Sequence, residues 1–87
     1  MEEEHILELV GYVKASKYRP KILYTLSEGM KMPSEIGKEL EISTSQVSNL
    51  LLDLKKRKLV CCANPNMKKG RMYKNTEFAF EVLKYLK

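Results

Sequence analysis

Between Lys55 and Asn75 the chain carries eight cations, Lys55, Lys56, Arg57, Lys58, Lys68, Lys69, Arg71 and Lys74, with no acidic residue among them. Just before them stand six short polar side chains, Ser43, Thr44, Ser45, Gln46, Ser48 and Asn49. Two kinds of chemistry follow. Lys55, Lys56, Lys68, Lys69 and Arg71 can neutralise phosphates and release counterions, giving affinity and register with little sequence choice. The amides of Gln46 and Asn49 can form paired hydrogen bonds to an adenine edge, while Thr44, Ser45 and Ser48 can bond to bases or phosphates according to depth. The other eight cations face eleven acids, so the net charge of +5 divides into +8 inside this stretch and −3 outside it. That polarity is the electrostatic footprint of a protein with a polyanionic partner. The competing explanation is a solvated lysine surface next to an ordinary helix cap. The concentration of both residue types in one stretch weighs against it.

The elements that must hold these side chains can be read from spacing. Ser43 precedes a helical run and Gln46 follows three residues later, the spacing of a capping box, so a helix is expected over residues 44–57. Val47, Leu51 and Leu54 form its buried stripe and leave the polar residues near its exposed start. Residues 59–63 and 71–75 suit two antiparallel strands, joined through Asn64-Pro65-Asn66 and Lys69-Gly70. Upstream, Ile6, Leu9, Val10 and Val13 repeat at helical spacing within residues 3–15. Ser16 is read as the N-cap of a second helix that ends near Glu28, with Gly29 as its stop. Pro33-Ser34-Glu35 opens a third helix that ends around Leu40, and Thr76 is expected to cap a last one over residues 77–87.

Eighty-seven residues give room for one domain, 1–87, with one small core. No apolar stretch of about 18 residues exists, and the start Met1-Glu2-Glu3-Glu4 is acidic where a secretory signal would be basic. No membrane association and a cytoplasmic location are therefore expected. Cys61 and Cys62 are adjacent and lack a distant partner, unlike a secreted disulfide framework. On a strand they would point to opposite faces, one into the core and one outward. Together with the remote His5 they do not make a ligand set, so no metal or cofactor is expected, and His5 is read as a surface or dimer-contact residue. There is no phosphate loop, catalytic triad or paired-acid motif, which argues against an enzyme.

The ordered set Pro33-Ser34-Glu35-Ile36-Gly37-Lys38-Glu39-Leu40, Ile42-Ser43, Val47-Ser48-Asn49-Leu50-Leu51 and Leu59-Val60, with Lys69-Gly70-Arg71 and Tyr73 beyond, resembles winged helix-turn-helix transcription regulators. It is most similar to the arsenic-repressor-like and multiple-antibiotic-resistance-like families of bacteria and archaea. The resemblance implies a mainly α fold with a small β-wing (α+β). It also implies a symmetric dimer on double-stranded DNA, with the helix over residues 44–57 in the major groove and the wing, 59–75, on the backbone or minor groove. The chain departs from the pattern at Asn49 and Leu50, where an arginine and a histidine are frequent, at Leu52, where a polar residue is common, and at Lys58, where glycine is usual. Three consecutive leucines, Leu50 to Leu52, cannot share one helical stripe. One of them is exposed, touches a thymine methyl, or meets another subunit.

The N- and C-terminal helices carry apolar residues beyond one core stripe: Leu7 and Tyr12 in the first, Phe78, Phe80 and Tyr85 in the last. These are expected to pack across a two-fold axis as dimerisation helices. The alternative reading is a winged-helix protein-interaction module or an RNA-binding component of a transcription assembly. Operator, effector and the sign of regulation are not written in the sequence.

Overall fold

The computed structural model describes residues 3–86. Met1, Glu2 and Lys87, the expected acidic start and the expected end of the last helix, lie outside the described residues. Apolar residues at helical spacing produce α1 (Glu3–Lys14), which buries Ile6, Leu9, Val10 and Val13 and carries Glu3 and Glu4 at the positive end of its dipole. Then follow α2 (Arg19–Leu26), α3 (Pro33–Leu40), α4 (Thr44–Lys56), β1 (Val60–Cys62), β2 (Tyr73–Asn75) and α5 (Glu77–Leu86). One core joins them all, centred on Ile22, Leu23, Leu54, Leu59 and Val82, which have no exposed surface. Each such leucine or isoleucine contributes roughly 1.5–3 kcal/mol by its burial.

Two expected caps are corrected. Ser16 does not begin α2. The helix starts at Arg19, with Tyr18 at its N-cap and Pro20 in its first turn, where a missing N–H costs nothing. The Ser16 hydroxyl instead accepts the Arg19 N–H from outside, at 3.4 Å. Thr76 does precede α5, but its hydroxyl donates to the Lys58 carbonyl at 2.6 Å, tying the helix to the end of α4 rather than capping its own turn. The α2 helix also closes early, at Leu26, with the turn running on to Gly29 at φ 143°.

The pairing of α3 and α4 depends on a tight turn. Gly37 is buried, and a Cβ there would stand 2.9 Å from the Ile42 carbonyl oxygen. The Ile42 N–H closes the turn on the Gly37 carbonyl at 3.0 Å, and Glu41 takes a left-handed conformation at φ 58°. The end of α4 uses the same device. Leu59 N–H bonds Leu54 O, Lys58 N–H bonds Lys55 O, and Lys58 sits at φ 62°, which together make a Schellman motif. The usual glycine at Lys58 is thereby explained: the backbone there requires a conformation that a Cβ disfavours.

The strands are shorter than residues 59–63 and 71–75. They pair antiparallel in the register Val60↔Asn75, Cys61↔Lys74 and Cys62↔Tyr73. The hairpin is anchored twice. Lys31 and Tyr73 exchange backbone bonds of 3.0 and 2.9 Å, adding a one-residue bridge beside β2. Asn75, buried, donates from Nδ2 to the Leu23 carbonyl at 2.8 Å. Cys61 and Cys62 are both half-buried, so the expected division into one core and one outward thiol does not hold.

Candidate nucleic-acid interface

The start of α4 presents its polar residues as the sequence requires. Ser43 is the N-cap, its hydroxyl accepting the Gln46 N–H at 3.1 Å. Only this half of the capping box forms among the described residues, so the Gln46 side chain is not spent on the cap. Thr44, Ser45, Gln46 and Asn49 are exposed and Ser48 is half-buried, while Val47, Leu51 and Leu54 turn into the core. Burial of one stripe thus fixes which side chains face outward.

The hairpin between β1 and β2 is organised by a side chain that sequence reasoning read only as a turn marker. The Asn64 Oδ1 accepts the Met72 N–H at 2.7 Å and the Cys62 thiol at 3.6 Å, while its Nδ2 donates to the Gly70 carbonyl at 3.1 Å. Ala63 N–H to Met72 O at 2.7 Å continues the ladder beyond the strands. The Arg71 Nε donates to the Met67 carbonyl at 2.8 Å, which fixes the root of an otherwise exposed guanidinium. Lys68 and Lys69 are exposed on the same tip.

Between these two elements lies a groove of about 430 Å³. Thr44, Ser48 and Leu52 of α4 form one wall, Lys68, Gly70, Arg71 and Tyr73 the other, and Met32, Pro33 and Ser34 close the end. Four of the expected contact residues, Thr44, Ser48, Lys68 and Arg71, therefore converge. Ser45, Gln46, Asn49, Lys55, Lys56 and Lys69 lie outside the groove, exposed on α4 or on the hairpin tip. Among the described residues the ion pairs use Lys31 and Lys84, so all eight cations from Lys55 to Lys74 stand without a carboxylate partner. Arg57 is less available than the rest. Its guanidinium lies 4.5 Å from the Tyr12 ring centroid, and Arg19 lies 3.8 Å from the same ring.

Lys31, which bridges to β2 through its backbone, also holds the base of the site through its side chain. Its ammonium contacts Glu28 at 2.8 Å, Glu39 at 2.6 Å and the Thr25 hydroxyl at 2.6 Å, and Thr25 in turn bonds Glu39. The hydrogen bonds that Lys31 donates to Glu28 and then Glu39 raise the Lys31 pKa, and those that Glu39 accepts from Lys31 and then Thr25 lower that of Glu39. The network ties the start of β2, through Lys31, to α2 and α3. No spacing in the sequence announced it.

Of the residues expected at a dimer interface, Tyr12 and Phe78 pack against the chain's own core, Phe78 edge-on to the exposed His5 at 5.6 Å. Leu7, Phe80 and Tyr85 are exposed by 48%, 48% and 43%. Tyr24, which the sequence did not single out, is also exposed and shares a cleft with Ser27, Phe80, Leu83 and Lys84. Among the described residues no three His, Cys, Asp or Glu side chains gather into a metal-binding group, and no helix is long and apolar enough to cross a membrane.

No family model matches the chain and no curated protein matches its sequence. Solved structures do. A mutant of Lactococcus lactis ZitR superposes with a TM-score of 0.72 at 25% identity, covering 82% of this chain and 49% of that one. The fold is an α+β winged helix. The same ZitR mutant in its apo form also superposes with a TM-score of 0.72, at 22% identity, covering 99% of this chain and 70% of that one. The chain thus spans about half the length of ZitR in the first comparison. In the winged helix, α3 and α4 are the helix-turn-helix and the β1–β2 hairpin is the wing.

Proposed function

We propose that this protein is a sequence-specific double-stranded DNA-binding protein acting as a transcriptional regulator, with α4 in the major groove and the wing on the adjacent backbone or minor groove. The observation that carries this reading is the groove that Thr44 and Ser48 of α4 line together with Lys68 and Arg71, cations without a carboxylate partner. A duplex satisfies both walls at once, its base edges meeting hydroxyls and its phosphates meeting cations. Gln46 and Asn49 are the base readers in this account. Ser43 sets the helix start, Ser45 bonds to base or phosphate, and Lys55, Lys56 and Lys69 add phosphate contacts. The similarity to ZitR supports the winged-helix frame in which these roles make sense.

Two copies act together in this account, docked through Leu7, Phe80 and Tyr85 so that paired reading helices meet half-sites about 10 bp apart or a multiple of that. Tyr12 and Phe78 support that face from beneath. A gel-shift series with duplex DNA, RNA and no nucleic acid tests the reading, accompanied by light scattering on the wild type and a Leu7→Glu plus Phe80→Glu variant. Salt-sensitive binding to duplex by a dimer is expected. Preference for RNA, or a monomer on and off DNA, would overturn the respective part.

A further inference from the structure

We propose that Leu52 is a specificity-determining contact that reads the C5-methyl group of thymine. The inference rests on the reading of α4 as the DNA-reading helix. The three-leucine run resolves into three fates: Leu51 is buried, Leu50 packs on the core from the side, and Leu52 is 54% exposed. Leu52 does not sit on an indifferent surface. It continues the stripe of Thr44 and Ser48 at four-residue intervals, so the three side chains follow one another over about 12 Å of helix, the scale of a major-groove width.

The first two members of that stripe can donate and accept hydrogen bonds, and the third can do neither. Of the groups that base pairs expose in the major groove, the thymine methyl is the apolar one. The chemistry across the groove narrows the partner further. Lys68 and Arg71 face Leu52, so an apolar protein side chain seated here would strip water from two cations without compensating them. A duplex brings a methyl to the leucine and phosphates to the cations in the same act.

The experiment begins with a duplex selected from random DNA by the wild-type protein. Each thymine of the selected site is replaced singly by deoxyuridine, which removes the methyl and keeps every hydrogen-bonding group. Affinities are measured for the wild type and for Leu52→Ala, a change at an exposed position whose melting temperature is checked alongside. For the wild type, replacement at one thymine of each half-site weakens binding about fourfold, the effect of one methyl group withdrawn from burial. Leu52→Ala, which removes the contact from both copies of the dimer, binds the thymine duplex weaker by roughly the square of that factor, about sixteenfold, and does not distinguish thymine from deoxyuridine there. Indifference of the wild type to every replacement, or a penalty that persists in Leu52→Ala, overturns the role of Leu52 while leaving DNA binding intact. If no duplex is retained at all, the proposed function itself fails.

Discussion

Asn64→Ala should unfasten the wing without unfolding the protein. The side chain makes two ordinary hydrogen bonds, accepting the Met72 N–H at 2.7 Å and donating to the Gly70 carbonyl at 3.1 Å, and accepts a weaker one from the Cys62 thiol. At about 0.5–1.5 kcal/mol each, the two ordinary bonds hold the tip by about 1–3 kcal/mol. Residues 65–71 of the tip are exposed and outside the core, so little of this loss should reach the global melting transition. It should reach the Met72 amide, whose hydrogen exchange is expected to accelerate about fivefold or more, since 1.4 kcal/mol is a factor of ten. Duplex affinity should fall by a comparable factor, because the wing must then be ordered at the moment of binding. Asn64→Asp is the control: it keeps the acceptor for Met72 and loses the donor to Gly70, so Met72 should stay protected. Unchanged Met72 exchange in Asn64→Ala would refute the brace. Faster exchange with undiminished affinity would show that the ordered wing is not the contact.

Lys58→Gly should raise stability by roughly 0.5–1 kcal/mol, because the left-handed backbone at φ 62° strains any residue with a Cβ; a lower denaturation midpoint would contradict the Schellman account. Glu39→Gln should destabilise the protein at pH 7 and lose that effect in acid. The Glu39 pKa is lowered in the fold, so its contribution is present above the unfolded carboxylate value of about 4.3 and disappears as pH falls through the lower folded value. Melting curves of both proteins should therefore differ at neutral pH and converge as the pH falls below the lowered folded value of Glu39, and a constant gap would refute the Lys31–Glu39 link. Asn49→Ala and Gln46→Ala should each cost about 1–3 kcal/mol on the preferred duplex and much less on random DNA. Equal losses on both would make that residue a backbone contact.

Much of the frame was legible because helical periodicity reports burial directly. The stripes Ile6–Val13 and Val47–Leu54 are the stripes the core uses, and Ser43 caps α4 where its spacing placed it. The misses share a cause. Ser16 and Thr76 are good capping types, yet their hydroxyls bond Arg19 N–H from outside and the Lys58 carbonyl, choices set by tertiary neighbours that local sequence does not contain. Asn64 and Lys31 were invisible as site residues for the same reason: Gly70 and Met72, and Thr25 and Glu39, lie six to eight positions from them and meet them only once the chain has folded back. The contacts of Tyr12 with Arg19 and Arg57, 3.8 and 4.5 Å from its ring centroid, are likewise absent from any local pattern. Lys58 carried a usable signal, since a residue standing where glycine is usual marks a left-handed backbone.

The central claim is that the cations of the wing and the polar face of α4 form one surface for a nucleic-acid duplex. The salt dependence of duplex binding by the wild type and by the combined Lys68→Ala, Lys69→Ala and Arg71→Ala variant tests it most directly. The wild type should show a steep linear fall of log affinity with log salt, and the triple variant, which loses three contacts in each copy of the dimer, a slope shallower by about 5 units, close to 0.9 for each phosphate contact removed. Preferred and random duplexes should lose affinity together. A slope unchanged by the three substitutions would contradict the account.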